Sequence, residues 1–272
     1  MVIRLAATLA IAAHLLLPQA VLADPITLSS TTSTENSGLF EHILPKFSAE
    51  TGIKVRVIAV GTGQAIRIAR NGDADVLLVH HRQSEETFVA EGFGVERIPV
   101  MYNDFVVLGP SDDPADVATA ASALEAFQRI RDADALFASR GDDSGTHKAE
   151  KGMWQAAGIM PGARDGWYRE LGAGMGATLN AAVAMGAYTL CDRATWISFT
   201  NKGAHTVVFE GDPALFNQYS VIAVNPQRHP HVNAAAADAF IKWLTSWRGQ
   251  SAISGFRLHG VQLFFPNASP RG

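Results

Sequence analysis

The sequence predicts an α/β fold of two lobes joined by two crossing strands, with a ligand cleft between the lobes. Three observations carry this prediction. Residues 26–79 alternate short apolar runs with helical patterns, and strand–helix–strand–helix–strand order implies a parallel sheet with right-handed crossovers. Two later segments, residues 102–110 and 219–226, look alike: each is a β-rich run stopped by a proline. The chain between them has its own strand and helix pattern, so it reads as one lobe inserted into another. A single doubly wound domain with a long insertion is the alternative arrangement.

The elements follow in order. Residues 26–28 read as a strand running into a hydroxyl-rich turn, Ser29-Ser30-Thr31-Thr32-Ser33-Thr34. Leu39, Phe40, Ile43, Leu44 and Phe47 recur at helical spacing, and Thr51-Gly52 ends that helix. Residues 54–60 form a strand, which Gly61-Thr62-Gly63 turns into a helix around 65–69. Residues 76–79 are a buried-type strand, and 234–246 a helix near the end of the chain. Lobe one then comprises residues 24–108 and 219–272, and lobe two residues 109–218.

Residues 1–23 have the order of an export leader: one cation at Arg4, an apolar stretch from Leu5 to Leu17, then Pro18 and the small-residue site Val21-Leu22-Ala23. The stretch is short and Ala-rich for a membrane span, so cleavage after Ala23 is expected rather than anchoring. Asp24 follows the cut, where a lipid anchor needs a cysteine; the single Cys191 also leaves no disulfide. The mature protein is therefore expected to be periplasmic, unanchored and not embedded in the membrane. Formal charge is −4 with no Lys/Arg run, which argues against nucleic acid as a partner. A net acidic protein still binds anions where local donors converge.

Three loops combine hydroxyls with glycine just before a helix: Thr31-Thr32-Ser33-Thr34, Gly61-Thr62-Gly63, and Ser139-Arg140-Gly141-Asp142-Asp143-Ser144-Gly145-Thr146-His147. A helix N-terminus presents unpaired N–H groups that stabilise an anion. Ser and Thr hydroxyls add rotatable donors, and glycine allows close approach of the backbone. Any one of these loops reads equally well as an ordinary N-cap. Together they place donors on both lobes, with Arg140 supplying a fork of donors suited to a dianion. The other reading of Arg140 is an ion pair with Asp142 or Asp143 that shapes the loop.

These residues resemble the tungstate-binding components of ABC transporters. The resemblance rests on the hydroxyl run followed by Ser37-Gly38-Leu39, on Val60-Gly61-Thr62-Gly63 with Ala65, and on the run 139–147. It also rests on Gly174-Met175-Gly176-Ala177-Thr178-Leu179 followed by Tyr188-Thr189-Leu190. It implies the type II periplasmic binding protein fold and a monomer without cofactor. Thr31, Thr62, Arg140 and Thr146 would bind the oxyanion, with Thr32 and Ser144 as helpers. The ligand would be tungstate or molybdate, and the partners an ABC permease and its ATPase. The third loop is also similar to that of phosphate-binding proteins, where an aspartate accepts the proton of hydrogen phosphate. Tungstate carries no such proton, so Asp142 and Asp143 must then point away or pair with Arg140 or backbone amides.

Other features have plainer readings. His80-His81 and His229-Pro230-His231 lack metal-ligand spacing and read as surface histidines. Tyr188 and Asp192-Arg193 either line the cleft or serve packing and a local ion pair. Cys191 reads as a buried, inert thiol. Asp143, Ser144 and His147 sit too close in sequence for a hydrolase triad, and no nucleophile elbow is present. A sensor domain would need a signalling extension that the sequence does not contain.

Overall fold

The computed structural model of the protein describes residues 24–269. The expected export leader lies outside the described residues. The chain opens with β1 (Ile26–Thr31), a one-turn helix α1 (Thr32–Asn36), α2 (Leu39–Thr51), β2 (Val55–Val60), α3 (Thr62–Asn71), β3 (Val76–Val79) and α4 (Arg82–Ala90). β1 pairs in parallel with both β2 and β3, the crossover geometry its strand–helix order dictates. In β3 successive side chains enter two separate cores, Val76 and Leu78 on one side, Leu77 and Val79 on the other. That explains its unbroken apolar run.

The long strand β4 (Ile98–Pro110) leads out of this lobe. The second lobe contains α5 (Ala123–Asp132), β5 (Phe137–Ser139), α6 (Gly145–Ala156), β6 (Tyr168–Glu170), α7 (Met175–Met185), β7 (Thr189–Asp192), α8 (Arg193–Ser198) and β8 (His205–Phe209). The chain returns in β9 (Phe216–Ala223) and ends with α9 (Ala234–Thr245), α10 (Trp247–Gly255) and the short strands β10 (Arg257–Leu258), β11 (Val261–Gln262) and β12 (Phe265–Pro266). β9 lies antiparallel between β3 and β4, so the lobe-one sheet is mixed, in the order β2-β1-β3-β9-β4-β12. The parallel pairing expected for residues 26–79 is found in β1, β2 and β3; β9, β4 and β12 add antiparallel strands.

β4 changes partners along its length. It pairs with β9 as far as Asp104, opposite Phe216, and from Phe105 onward with β7 and β8. The expected lobe limit at residue 108 falls inside the stretch paired with β7. Each lobe has its own aromatic-centred core. Phe47 packs edge-on against Phe240 and Trp243 in the first, and Trp154 against Phe127 and Phe137 in the second.

Candidate oxyanion site between the lobes

Three of the runs singled out in the sequence open helices of ten or more residues. These are α3 after Gly61, α6 after Ser144 and α7 after Gly174. None has an acidic residue in its first turn, whereas α2, α4 and α5 have Glu41, Glu85 and Glu125 there. α9 also lacks one, and the Asp143 carboxylate lies against Gly63 in the first turn of α3. Two of the three meet across the lobes. A Cβ placed on Gly145, at the start of α6, would lie 3.0 Å from Thr62 Oγ1 at the start of α3.

The hydroxyls divide into satisfied and unsatisfied. Thr31 ends β1 and caps α1; its Oγ1 lies 2.7 Å from Thr34 Oγ1 and 3.1 Å from Ser33 Oγ. Ser144 caps α6 and accepts from the His147 N–H at 3.2 Å. In contrast, Thr62 Oγ1, Thr146 Oγ1 and Arg140 Nε are buried and have no hydrogen-bond partner within the protein. Buried polar groups are nearly always paired, because an unmet one forfeits its bonds to water. Three of the six expected ligand residues thus hold a buried polar atom with no partner in the protein.

Arg140 makes the expected ion pair with Asp142 and keeps an unpartnered Nε. Its Nη2 donates to Asp142 Oδ2 at 2.5 Å, while Asp142 Oδ1 accepts from the Ser144 N–H at 3.2 Å. Burial works to raise the Asp142 carboxyl, but the Ser144 and Arg140 donors outweigh it and hold its pKa below the ordinary value. Asp143 is exposed, with Oδ1 3.4 Å from Lys148 Nζ. Both Asp142 oxygens are engaged, whereas Asp143 Oδ2 lies against Gly63 at the start of α3. Asp192, wholly buried, caps α8 through Thr195, and burial raises its pKa.

A cavity of about 410 Å³ opens beside Arg140, lined also by Thr32, Ser33, the α7 start at Gly174 to Ala177, and Thr195 and Ser198 of α8. Of the six expected residues, Arg140 and Thr32 line it; Thr31, Thr62, Ser144 and Thr146 do not. Its size suits a drug-sized molecule and would leave an ion of five heavy atoms loose. The unpaired hydroxyls of Thr62 and Thr146 sit instead at the seam between α3 and α6. Ser33 joins the two regions: it lines the cavity and lies 3.4 Å from His80 Nε2, whose ring abuts Gly145. A second cavity, about 520 Å³, contains Arg82, Arg97 and Lys148, but each is already paired, with Glu86, Glu85 and Asp143.

Several sequence readings need revision. His80 is not a surface histidine: it is buried, stacked on Tyr219 at 4.7 Å and bonded to Asn217 at 3.1 Å. Burial and the nearby Arg140 lower its pKa to about 4, against the opposing Asn217 bond, so the ring is neutral near pH 7. His229 is also partly buried, and His231 alone of the four is both exposed and bonded, to the Gly72 carbonyl. Tyr188 does not line a cleft. Its buried hydroxyl donates to Asp113 and accepts from the Ala115 N–H. Arg193 forms ion pairs with Asp104 and Glu210. Cys191 is buried, and burial pushes its thiol pKa well up. The α7 start was read only as part of a family pattern; its signal was the Gly-Ala-Gly-Met-Gly-Ala run with no capping side chain.

Comparison with known proteins agrees with this architecture. The model of the PBP superfamily domain matches residues 19–248. The tungstate-binding protein TupA of Peptoclostridium acidaminophilum is 45% identical over 248 residues, covering 90% of this chain and 86% of that protein. TupA of Campylobacter jejuni is 38% identical over 243 residues, covering 88% and 90%. Among solved structures, TupA from Desulfovibrio alaskensis G20 superposes with a TM-score of 0.80 at 43% identity, covering 91% of this chain and all of that one. The tungstate ABC transporter protein from Geobacter sulfurreducens gives 0.78 at 45%, covering 85% and 98%. The chain belongs to the PBP superfamily and has the two-lobed α/β fold of type II periplasmic binding proteins.

Proposed function

We propose that this protein is the solute-binding component of an ABC importer, capturing tungstate between its lobes and handing it to a membrane permease driven by an ATPase. The observation that carries the reading is the set of buried, unpartnered donors Thr62 Oγ1, Thr146 Oγ1 and Arg140 Nε, drawn from both lobes. Thr31, Thr32 and Ser144 complete the proposed shell by shaping α1 and α6. The similarity to two tungstate-binding proteins supports the choice of ion. So does the site chemistry. Hydrogen phosphate needs an acceptor for its proton, and both Asp142 oxygens are already engaged, with Arg140 and the Ser144 N–H. Molybdate has the same charge and shape and competes.

The rest of the reading follows. Residues 1–23 direct export and are removed after Ala23, leaving a periplasmic monomer that needs no cofactor. Among the described residues no helix is long and apolar enough to cross a membrane. The lobes in this reading are residues 24–108 with 219–272, and 109–218, and the change of partner along β4 supports a boundary within that strand. Catalysis is not part of the role. Ser144 Oγ is occupied as a helix cap, and His147 Nδ1 accepts from the Asp143 N–H rather than from a nucleophile. Protein purified without denaturation from cells grown with tungstate should carry one tungsten per chain by elemental mass spectrometry. Phosphorus in its place, with no tungsten or molybdenum, would overturn the reading.

A further inference from the structure

We propose that His80 is the stop that sets how closely the lobes approach, and thereby the size of oxyanion the cleft accepts; this rests on the oxyanion reading above. His80 follows β3 in lobe one and Gly145 opens α6 in lobe two. A Cβ on Gly145 would lie 2.7 Å from His80 Cε1 and 3.1 Å from Nδ1. Carbon atoms do not approach so closely, so the ring and the Gly145 backbone are already in contact, with no room for a methyl group. Gly145 does not need glycine for its backbone: its φ is not positive, and alanine is the better helix former at that position. Space is what it supplies.

The ring has nowhere to retreat. Behind it Tyr219 stacks at 4.7 Å, and Asn217 Oδ1 accepts from Nδ1 at 3.1 Å. The Asn217 amide nitrogen is spent on Asn103 Oδ1 at 2.7 Å, which fixes Nδ1 as the protonated ring nitrogen. Asn103 and Asn217 face each other in register on β4 and β9, where the chain passes between the lobes. In front, Nε2 lies 3.4 Å from Ser33 Oγ. The stop is thus braced against the connecting strands and presents a rigid edge to lobe two.

Thr62 Oγ1 stands beside the same contact, and Thr146 follows Gly145. The His80–Gly145 contact therefore sets the separation of donors on opposite lobes. Sulfate and tungstate share charge and tetrahedral shape, so size is what distinguishes them. At a fixed lobe separation the larger ion reaches both sets of donors and the smaller reaches one.

The test is a set of calorimetric titrations with tungstate and sulfate on wild type, Gly145→Ala, His80→Ala, the double variant and His80→Phe. Gly145→Ala is expected to fold normally and to bind tungstate about ten-fold more weakly, the scale of overpacking a tight contact. The double variant should regain most of that loss, because the methyl group then has room. His80→Ala alone should reduce the tungstate-over-sulfate ratio about ten-fold as sulfate gains, while His80→Phe, which keeps the ring, should retain it. Unchanged affinity in Gly145→Ala, no rescue in the double variant, or an equal loss of selectivity in His80→Phe would overturn the stop. A wild type that binds no tungstate fails the oxyanion reading instead. The stop is then read from lobe separation in small-angle scattering, with Gly145→Ala more open than wild type and than the double variant; no such difference overturns it.

Discussion

Arg140 is the charge in the proposed ligand set, and Thr62 and Thr146 are its buried, unpartnered hydroxyls. Arg140→Gln is expected to weaken tungstate binding by about 100-fold, since truncating one partner of a buried charge pair costs roughly 2–5 kcal/mol. Titration calorimetry checks this, and an unchanged affinity would remove Arg140 from the ligand set. Thr62→Val should separate binding from stability. The hydroxyl has no partner in the protein, so its isosteric removal should leave the unliganded melting temperature equal or higher. Tungstate affinity should fall about ten-fold through loss of one hydrogen bond to a charged ion. A lower melting temperature with unchanged affinity would mark the hydroxyl as structural. These residues were legible because Ser, Thr, Gly and Arg before a helix leave a local signature. His80 was not, because its burial comes from Tyr219 and Asn217, far along the chain.

At the scale of elements, α6 joins the ligand loop to the lobe-two core. Ser144 caps it, and Ser144→Ala should cost about 1 kcal/mol in urea unfolding. Nearly two turns further, Glu150 is buried and accepts from Ser139 Oγ, Trp154 Nε1 and Tyr168 OH. Burial raises its pKa to about 7 despite these bonds. A carboxyl raised on folding contributes stability that is full below its unfolded value near 4.5 and lost as pH rises through about 7. Glu150→Gln keeps the acceptor for Trp154 and Tyr168 but cannot ionise. The variant should therefore gain stability relative to wild type between about pH 5 and about pH 8. Glu85 acts in the same direction and His80 in the opposite one, so the variant-minus-wild-type difference is the readout; a flat difference would contradict the assignment. The starts of α3 and α6 were evident in sequence. α1 was not, because its five residues are too few for a periodic pattern. The α7 start was underread, since glycine alone does not distinguish a cap from an anion site.

For the whole molecule, the two lobes were visible in the paired proline-stopped strands, whose two ends lie in different surroundings. The antiparallel entry of β9 between β3 and β4 was not, because strand order in a sheet depends on long-range pairing that local sequence does not encode. A ligand held by donors from both lobes favours the closed population. Adding tungstate should therefore stabilise the fold, by about 2.7 kcal/mol at 100 times Kd. The central claim is that the seam between α3 and α6 takes a tetrahedral metal oxyanion. Its most direct test is calorimetric titration of the ligand-free protein with tungstate, molybdate, sulfate and phosphate. One-to-one binding of tungstate and molybdate, far tighter than sulfate or phosphate, is the predicted result; tight phosphate binding with no heat from tungstate would contradict it.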